Sequence, residues 1–212
     1  LNSELVNVFK KIFCYDNQST ALILPPMHIA KNYLPHSKFT TAGGWHRDCG
    51  GELQHDKCKQ LINSGNYLFG KIGIYLQDNS EYGGGINIIP GSNKDSLVQR
   101  SYSFSSIGVK ILKLVQKFSK NFHYFLNRNK FFNKIFKMQK LDINAGDVVF
   151  FDSRIWHRGT YANKKIEKNL KYSIKNNEAM LPEDKQKYVL YSHFGNTTGI
   201  QSYLYERDLS SF

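Results

Sequence analysis

Gly43-Gly44-Trp45-His46-Arg47-Asp48-Cys49-Gly50-Gly51 is the stretch of this sequence around which the fold is organised. It places a histidine and a carboxylate two residues apart, and residues i and i+2 of a β-strand point to the same face. His46 and Asp48 therefore aim at one point, where a neutral imidazole beside a carboxylate suits a divalent first-row metal. The pair by itself is a weak signal, and a polar pair at a turn or a strand end explains it equally well.

A second histidine lies at the end of a predicted buried strand far along the chain. Asp147-Val-Val-Phe-Phe-Asp-Ser-Arg-Ile-Trp-His157-Arg-Gly159 reads as that strand with a polar end, and Ala145-Gly146-Asp147 supplies the turn into it. On a period of two, one face of the strand carries Val149, Phe151, Ser153, Ile155 and His157. A lone histidine at a strand end is more often a surface or core residue with its hydrogen bonds satisfied than a metal ligand. A set of two histidines and one carboxylate, however, requires a distant partner of this kind.

Four segments of the chain occur in an order that is known from one protein family. They are Trp45–Asp48, Gly84–Lys94, Asn144–Gly159 and Lys187–Phe194. Through these segments the chain resembles the phytanoyl-CoA dioxygenase-like Fe(II)/2-oxoglutarate oxygenases over most of residues 40–200. The family usually has Pro-Gly-Ser-His-Lys where this chain has Pro90-Gly91-Ser92-Asn93-Lys94, and that histidine is not a metal ligand in the family.

The resemblance implies a metal site, two cosubstrates and a reaction. His46, Asp48 and His157 would bind Fe(II) as the catalytic metal ligands, with 2-oxoglutarate and O₂ as cosubstrates. The expected reaction is hydroxylation of an unactivated C–H bond, coupled to oxidative decarboxylation of 2-oxoglutarate. Asp48 favours hydroxylation, because halogenating members of such enzymes have a small residue in place of the carboxylate. The substrate stays open among small-metabolite, CoA-linked, lipid-linked and sugar-like compounds, anionic ones included.

The distal carboxylate of 2-oxoglutarate needs a fixed cation, and the family usually places an arginine a short distance after the distal histidine. This chain has no arginine between Arg158 and Arg207, but lysine can act there as a point charge. The candidates are Lys168, Lys171 and Lys187. Lys187 begins the most convincing buried strand and is predicted to bind the cosubstrate, with Tyr191 on the same strand face. An exposed strand-end lysine is the alternative.

Residues 94–140 differ in charge from the rest of the chain. They contain eleven Lys and Arg against one Asp, and so carry +10 of the formal net charge of +12. The apolar residues with helical spacing in this segment are Ile107, Ile111, Leu114, Val115, Phe118 and Phe122. The pattern predicts an amphipathic, basic helical insertion between barrel strands.

Three interpretations of this basic insertion stay open. It packs on the barrel with a solvated basic face, it forms a lid that binds an anionic substrate, or it is an interfacial helix on an anionic membrane. Nucleic acid is a poor candidate partner, because charge is its only support and no aromatic-basic recognition motif is present.

The strand pattern predicts one mainly β domain over residues 1–212 with flanking helices. Gly70–Gln77 and Ile86–Ile89 read as strands joined by a turn, and the pair is expected to form a hairpin. Short strands, glycine turns and two inward-facing ligand strands fit a double-stranded β-helix, the jelly-roll or cupin architecture. Residues 3–13 have the apolar spacing of a helix.

Composition bounds the class of protein. A chain of 212 residues with 41% hydrophobic and 14% aromatic residues is long enough for one globular core. Cys14, Cys49 and Cys58 are odd in number and unpatterned, which argues against a disulfide framework. Cys49 and Cys58 flank His55, which is a weak candidate for a second metal site. No run of 18 apolar residues exists, so no transmembrane segment is expected. No signal peptide is visible, and a cytoplasmic protein is expected.

Two other classes of function stay open beside the oxygenase. One is a non-oxidative, cupin-like protein that binds a metal or a ligand, and the other is a basic membrane- or polymer-binding module. Formation of succinate from 2-oxoglutarate would separate the enzyme from both.

Overall fold

The structure is a computed structural model that describes the backbone of residues 22–32 and the residues 44–48, 69–79, 82–94, 104–168 and 187–195. The predicted helix over residues 3–13, the three cysteines and Lys171 lie outside these residues. The strands are β1 (Leu22–Asn32), β2 (Phe69–Tyr75), β3 (Ile86–Ile88), β4 (Gln139–Lys140), β5 (Val148–Asp152), β6 (His157–Gly159) and β7 (Lys187–Gly195). The helices are α1 (Phe104–Phe118), α2 (Lys120–Arg128) and α3 (Lys130–Ile135). The described chain is therefore sheet-rich with some helices, as predicted.

The described strands form two antiparallel sheets, with the orders β1-β7-β2-β5 and β4-β3-β6. The predicted hairpin between β2 and β3 is wrong, because both edges of β2 are occupied by β5 and β7 and β3 joins the other sheet. Gly83 and Gly84 lie between β2 and β3 with φ of 77° and 85°. Glycine adopts this left-handed conformation without steric cost, so the chain can turn here from one sheet to the other.

The single strand predicted across residues 147–159 is divided by a turn. β5 ends at Asp152, and β6 begins at His157 in the other sheet. The carboxylate of Asp152 accepts a hydrogen bond from Arg154 N (2.8 Å), and its carbonyl accepts one from Ile155 N (3.0 Å). An aspartate that bonds to the backbone two residues ahead stabilises a turn in place of a continued strand. The continuous strand face predicted for this segment is therefore wrong.

The basic segment between β3 and β4 is helical, as predicted. Two polar residues divide it, since Ser119 Oγ accepts from Phe122 N (3.2 Å) and Asn129 Oδ1 accepts from Phe132 N (2.9 Å). Each of these side chains satisfies a backbone donor at the start of a helix, which is the preferred function of Ser and Asn at that position. Ser119 therefore begins α2, and Asn129 begins α3.

The inward face of α1 packs on an apolar core. This core consists of Trp45, Ile89, Val109, Leu112, Phe136, Met138 and Trp156. Its two tryptophans directly precede the predicted ligands His46 and His157 in the sequence. Burial of a large apolar side chain is worth about 1.5–3 kcal/mol. The core therefore holds the helices and the two ligand-bearing segments together.

The outward face of α1 carries a second apolar stripe. Ile107, Ile111, Leu114 and Phe118 follow the spacing i, i+4, i+7 and i+11, and all four are exposed. The spacing of these residues correctly predicted the helix. The side chains of α1 that pack inward, however, are Val109 and Leu112. Within the described residues, no helix combines the length and the apolar character that are required to cross a bilayer.

Candidate metal centre and cosubstrate cleft

The three residues predicted as metal ligands converge in the structure. His46, Asp48 and His157 each offer one ligand atom, and these atoms lie within 4.8 Å of one another. Asp48 Oδ1 is 3.7 Å from His46 Nε2, and Asp48 Oδ2 is 3.4 Å from His157 Nε2. Two imidazole nitrogens and one carboxylate oxygen are the donor set of non-haem Fe(II) oxygenases. The residues present therefore fit Fe(II).

Backbone pairing brings the two histidines together. His46 N donates to His157 O and His157 N donates to His46 O, both at 2.9 Å, which forms an isolated antiparallel bridge. Asp48 N donates to Ser153 O (3.0 Å). The strand expected around His46 and Asp48 is thus reduced to one bridge and a bend. The side chains of His46 and Asp48 nevertheless meet, as the two-residue spacing predicted.

Along residues 45–48, buried side chains alternate with side chains that line a cleft. Trp45 and Arg47 are buried, whereas His46 and Asp48 line a cleft. The Arg47 guanidinium lies over the ring of Trp156, 4.7 Å from the ring centroid. The residues on either side of His46 are therefore held in the core, and this leaves the imidazole directed at the cleft.

The turn after β3 ties the two ligand segments to each other. Ser92 is fully buried; its Oγ accepts from Trp156 N (2.9 Å), and its carbonyl accepts from Arg47 Nη2 (2.8 Å). Asn93, where the family usually has histidine, donates from Nδ2 to Asp152 Oδ2 (3.2 Å). The Pro-Gly-Ser motif therefore stabilises the arrangement of the ligand segments without supplying a ligand itself.

Backbone carbonyls orient both imidazoles. His46 Nδ1 is 2.8 Å from Gly44 O, and His157 Nδ1 is 3.0 Å from Ile155 O. A carbonyl oxygen only accepts hydrogen bonds, so it selects the tautomer that carries its proton on Nδ1. Each Nε2 lone pair is then free to bind a metal, which is the usual arrangement of metal-ligating histidines.

Burial and charge favour the protonation states that metal binding requires. Burial lowers the pKa of His157 to about 4, against the opposing effect of the Asp48 carboxylate. Burial by itself raises the pKa of Asp48, but the interactions with His157 and with the Lys71 ammonium outweigh it, so this pKa lies below its ordinary value. At neutral pH the site therefore offers a neutral imidazole and an ionised carboxylate.

Lys71 of β2 is a further site residue, which the sequence patterns did not indicate. Its Nζ lies 2.9 Å from Asp48 Oδ2. A signal was present, because Lys71 interrupts the otherwise apolar strand Phe69-Gly-Lys-Ile-Gly-Ile-Tyr75. A period of two places it on the same side as Tyr75, which lines the same cleft.

A cleft of about 210 Å³ opens beside the triad. Its lining side chains outside the triad include Lys71, Tyr75, Phe151, Lys187 and Tyr191. This volume is below the range of about 300–1,000 Å³ that is typical of sites for drug-sized ligands. The cleft therefore suits a small ligand.

Lys187 and Tyr191 line this cleft from β7, on the strand face that the sequence predicted. Lys187 Nζ lies 3.5 Å from Tyr191 OH and 5.7 Å from the ring centroid of Tyr75. Burial lowers the pKa of Lys187 to about 8 and raises the pKa of Tyr191, so at pH 7 the lysine is a cation and the phenol is neutral. Among the described residues, Lys187 has no carboxylate partner.

Gly84 makes room for Lys187. A Cβ atom at Gly84 would lie 2.8 Å from Lys187 Cδ, and φ at this residue is 85°. A side chain here would strain the backbone and collide with the lysine stem. Of the other lysines predicted as candidates, Lys168 is exposed and does not line the cleft, and Lys171 lies outside the described residues.

The sheets and the donor set define a sheet-rich protein with a candidate mononuclear metal centre of two histidines and one carboxylate. Residues 3–164 match the family described as phytanoyl-CoA dioxygenase (PhyH). This match spans well over half of the sequence, and the chain belongs to the phytanoyl-CoA dioxygenase family, as its four motif segments indicated. Proteins of this family are, in general, Fe(II)/2-oxoglutarate-dependent oxygenases.

Among solved structures, the crystal structure of EvdMO1 is similar to this chain with 14% sequence identity and a TM-score of 0.41. The similarity covers 84% of this chain and 28% of that one, so the chain spans less than a third of the length of EvdMO1. No functionally curated protein matches the sequence.

The buried, neutral His157 predicts that the metal-free protein loses stability in mild acid. Its pKa of about 4 in the folded chain is below the ordinary value of 6.5, so the unfolded chain binds a proton first as the pH falls. The free energy of unfolding should therefore fall by about 2 kcal/mol between roughly pH 6.5 and pH 4.5. Asp48 contributes below this window, since its pKa is lower than 3.8. Urea denaturation in the presence of a chelator measures the change.

The matched variant is His157→Gln, which keeps a polar side chain that does not titrate. It should flatten the pH dependence in this window, whereas Lys164→Gln on the exposed surface should leave it as in the wild type. If His157→Gln retained the full wild-type slope, His157 would not be the group responsible.

Proposed function

We propose that this chain is a non-haem Fe(II)/2-oxoglutarate-dependent dioxygenase with a double-stranded β-helix fold. It would hydroxylate an unactivated C–H bond of a small or carrier-linked substrate. The observation that carries the proposal is the convergence of His46, Asp48 and His157, with both Nε2 atoms within 3.7 Å of the carboxylate. Membership of the phytanoyl-CoA dioxygenase family supports the same reaction class.

The chain's own residues would bind the metal, orient the imidazoles and shield the site from water. Bound Fe(II), 2-oxoglutarate and O₂ would supply the oxidising power for hydroxylation. His46, Asp48 and His157 would hold the metal, with their imidazoles oriented by backbone carbonyls. The ring of Phe151 packs against His157 with the centroids 4.9 Å apart, which shields this side of the site from water.

Lys71 would keep the carboxylate ligand in position. Asp48 has two oxygens, so it can retain the Lys71 ion pair through one of them and bind the metal through the other. Lys71 would therefore be a positioning residue that acts through Asp48. The ion pair also keeps the carboxylate ionised, because it stabilises the charged form.

Lys187 would bind the distal carboxylate of 2-oxoglutarate. A largely buried cation is costly unless it is paired, and no described carboxylate pairs with Lys187. A dicarboxylate in the cleft supplies that partner, and the Tyr191 hydroxyl beside Lys187 adds a second donor. Lysine would act as a point charge here, where relatives usually have the fork of an arginine.

The metal ligands are tested with turnover and with a spectroscopic signature. His46→Ala, Asp48→Ala and His157→Ala should each abolish Fe(II)-dependent formation of succinate from 2-oxoglutarate, because each removes one of the three ligands. The visible charge-transfer band that forms on anaerobic titration with Fe(II) and 2-oxoglutarate should be lost in parallel. Asp142→Ala is the control, since it removes an exposed carboxylate outside the site.

A folded triad variant with turnover close to that of the wild type would show that the residue is not a ligand. A wild-type protein that binds Fe(II) but forms no succinate would favour the non-oxidative, metal-binding alternative. Circular dichroism and thermal melting of each variant establish that its fold is intact.

The cosubstrate anchor is tested by the Michaelis constant for 2-oxoglutarate. Lys187→Ala should raise this constant by about tenfold to a hundredfold, because a hydrogen bond to a charged group is worth about 1.5–3 kcal/mol. Lys168→Ala removes an exposed lysine and should leave the constant unchanged. An unchanged constant in Lys187→Ala would assign the anchor to another cation.

A second candidate function, binding to an anionic membrane, is favoured by the outer surface of the helices. Residues 104–135 contain seven Lys and Arg and no Asp or Glu. Among the apolar side chains of α1–α3, Leu114 is 58% exposed, Phe131 is 73% exposed and Phe118 is 83% exposed. The rings of Phe122 and Phe125 are stacked on each other and are likewise exposed. Exposed aromatic side chains among lysines are typical of helices that lie in the interface of an anionic bilayer.

We propose that α1–α3 dock on such a bilayer, where the apolar stripe would enter the interface and the lysines would contact acidic headgroups. Lys110 and Lys117 flank the exposed stripe of α1 along one side, whereas the ammonium of Lys113 between them lies 4.9 Å from the ring centroid of Trp156. This arrangement would bring the metal centre to lipid-linked substrates. A bound acidic polymer would use the lysines alone and would not need the exposed phenylalanines.

Sedimentation with phosphatidylcholine vesicles, with and without phosphatidylserine, tests the docking. The chain should bind only the vesicles that contain phosphatidylserine. Lys117→Glu with Lys120→Glu should weaken this binding by about tenfold or more, at about 1 kcal/mol for each charge removed. Phe118→Ser with Phe131→Ser should also weaken it. The control is Leu76→Ser, an exposed apolar residue outside the helices.

If the lysine variants lost binding and the phenylalanine variants did not, the partner would be an acidic polymer. If the wild-type chain bound neither kind of vesicle, the helices would have only a packing function.

A further inference from the structure

A second cleft, of about 250 Å³, lies between the β4-β3-β6 sheet and the helices. Consecutive strand residues point to opposite faces, so His157 faces the metal centre and the Arg158 side chain faces this cleft. Cross-strand pairing places Lys140, Asn87 and Arg158 in one row across the three strands. We call it the Arg158 cleft; its polar lining includes Asn87, Asn133, Lys140, Arg158, Thr160 and Tyr161.

The Arg158 guanidinium is buried, and none of the described residues gives it an anionic partner. The residue is 2% exposed, and the guanidinium lies between the rings of Trp45 and Tyr161, 5.1 and 4.5 Å from their centroids. The Asn87 amide, with its oxygen turned toward the guanidinium, accepts from Nη2 and Nε at 2.8 and 3.2 Å. Nη2 also lies 3.4 Å from Asn127 O, and Nη1 has no hydrogen-bond partner. In the part of the chain that the structure describes, no carboxylate pairs with Arg158.

Two carboxylates that pair with cationic residues of the cleft lining are Glu167 and Asp142. Glu167 accepts from Arg128 Nη1 (3.1 Å) and from the Tyr124 hydroxyl. Asp142 is largely exposed and pairs with Lys140 (3.3 Å). Arginine is almost never fully buried without a partner, because removing its charge from water is costly. Burial lowers its pKa only to about 10, so Arg158 is still a cation at pH 7. A bound anion would supply the missing partner.

Two further buried atoms without partners belong to residues that line the same cleft. Besides Arg158 Nη1, they are Thr160 Oγ1, which can donate, and Asn133 Oδ1, which only accepts. A ligand that satisfies all three atoms presents anionic oxygens and also a hydroxyl. Hydrogen phosphate has both kinds of group, whereas sulfate has only acceptors.

We propose that the Arg158 cleft binds a phosphate group, either as the free ion or as part of a small phosphate ester. The Arg158 guanidinium and the Thr160 hydroxyl would donate to its oxygens, and Asn133 would accept from the P–OH of hydrogen phosphate or from an alcohol hydroxyl of the ester. Lys140 belongs to the same row of side chains, but its charge is already balanced by Asp142. The site lies on the other side of β6 from the His157 side chain, although Arg158 also contributes to the lining of the metal-side cleft. The proposal does not depend on the proposed oxygenase reaction.

Titration calorimetry of the metal-free protein at constant ionic strength tests the site with inorganic phosphate, sulfate, chloride and glycerol 3-phosphate. The wild type should bind inorganic phosphate at one site and more tightly than sulfate, with no heat from chloride. Arg158→Gln should weaken phosphate binding by at least about tenfold, because it removes a charge-assisted hydrogen bond. Arg158→Lys should retain part of the affinity, and Thr160→Val should weaken it by a smaller factor than Arg158→Gln.

Asn87→Asp is the sharpest variant, because it tests the missing counter-charge without removing the arginine. It places a carboxylate at the position that now accepts from Nη2 at 2.8 Å, so Arg158 gains an internal partner. This variant should fold, melt at or above the wild-type temperature and lose phosphate binding. The matched control Asn144→Asp makes the same change of charge at an exposed position outside the cleft and should bind as the wild type does.

The outcomes separate the two sources of the phosphate group. Binding of glycerol 3-phosphate as tightly as inorganic phosphate assigns the site to an ester, and binding of inorganic phosphate alone assigns it to the free ion. Equal effects of phosphate and chloride, no binding by the wild type, or undiminished binding by Asn87→Asp would each overturn the proposal.

Discussion

The reciprocal pair of backbone hydrogen bonds between His46 and His157 is the constraint on which the site depends. It joins two segments that are distant in the sequence, and it fixes the positions from which both imidazoles project. Two hydrogen bonds contribute only about 1–3 kcal/mol in total, so the bridge relies on packing around it. The tryptophans that precede the two histidines supply this packing, since both lie in the core that α1 covers. Ser92 adds a polar connection between the same two segments.

Two cations on neighbouring parts of the structure share an electrostatic feature. Lys187 in the metal-side cleft is half-buried and Arg158 in the opposite cleft is buried, and neither has a carboxylate partner among the described residues. Lys71 shows the contrast, because it lies in the same cleft as Lys187 but is paired with Asp48. A buried cation without a partner destabilises the folded chain unless a ligand compensates it. This shared feature supports the two proposals that an anion binds in each cleft, one beside the candidate metal ligands and one on the other side of β6.

The helical segment between β3 and β4 supports the candidate site with its inward side chains and forms part of the surface with its outward side chains. Its inward side chains, Val109 and Leu112, complete the core that holds the ligand segments. Its outward stripe, from Ile107 to Phe118, stays in contact with solvent. A soluble helix usually buries its one apolar stripe, so a helix with two opposite stripes has an apolar surface left over for a partner. Any partner on the outer stripe would therefore contact the element that supports the metal ligands.

Local pattern determined much of this protein from the sequence alone. The two-residue spacing of His46 and Asp48, the strand period that joins Lys187 to Tyr191 and the helical spacing after residue 104 depend only on backbone geometry, which every sequence of that pattern shares. Tertiary structure alone decided which strands pair. It decided that β3 joins the other sheet and does not pair with β2, and that the chain changes sheets after Asp152. It also decided that Lys71 pairs with Asp48. It also decided which of the two apolar stripes of α1 is buried, because both have the same local period. These choices depend on long-range packing between segments, and no local period encodes which partner a segment will meet.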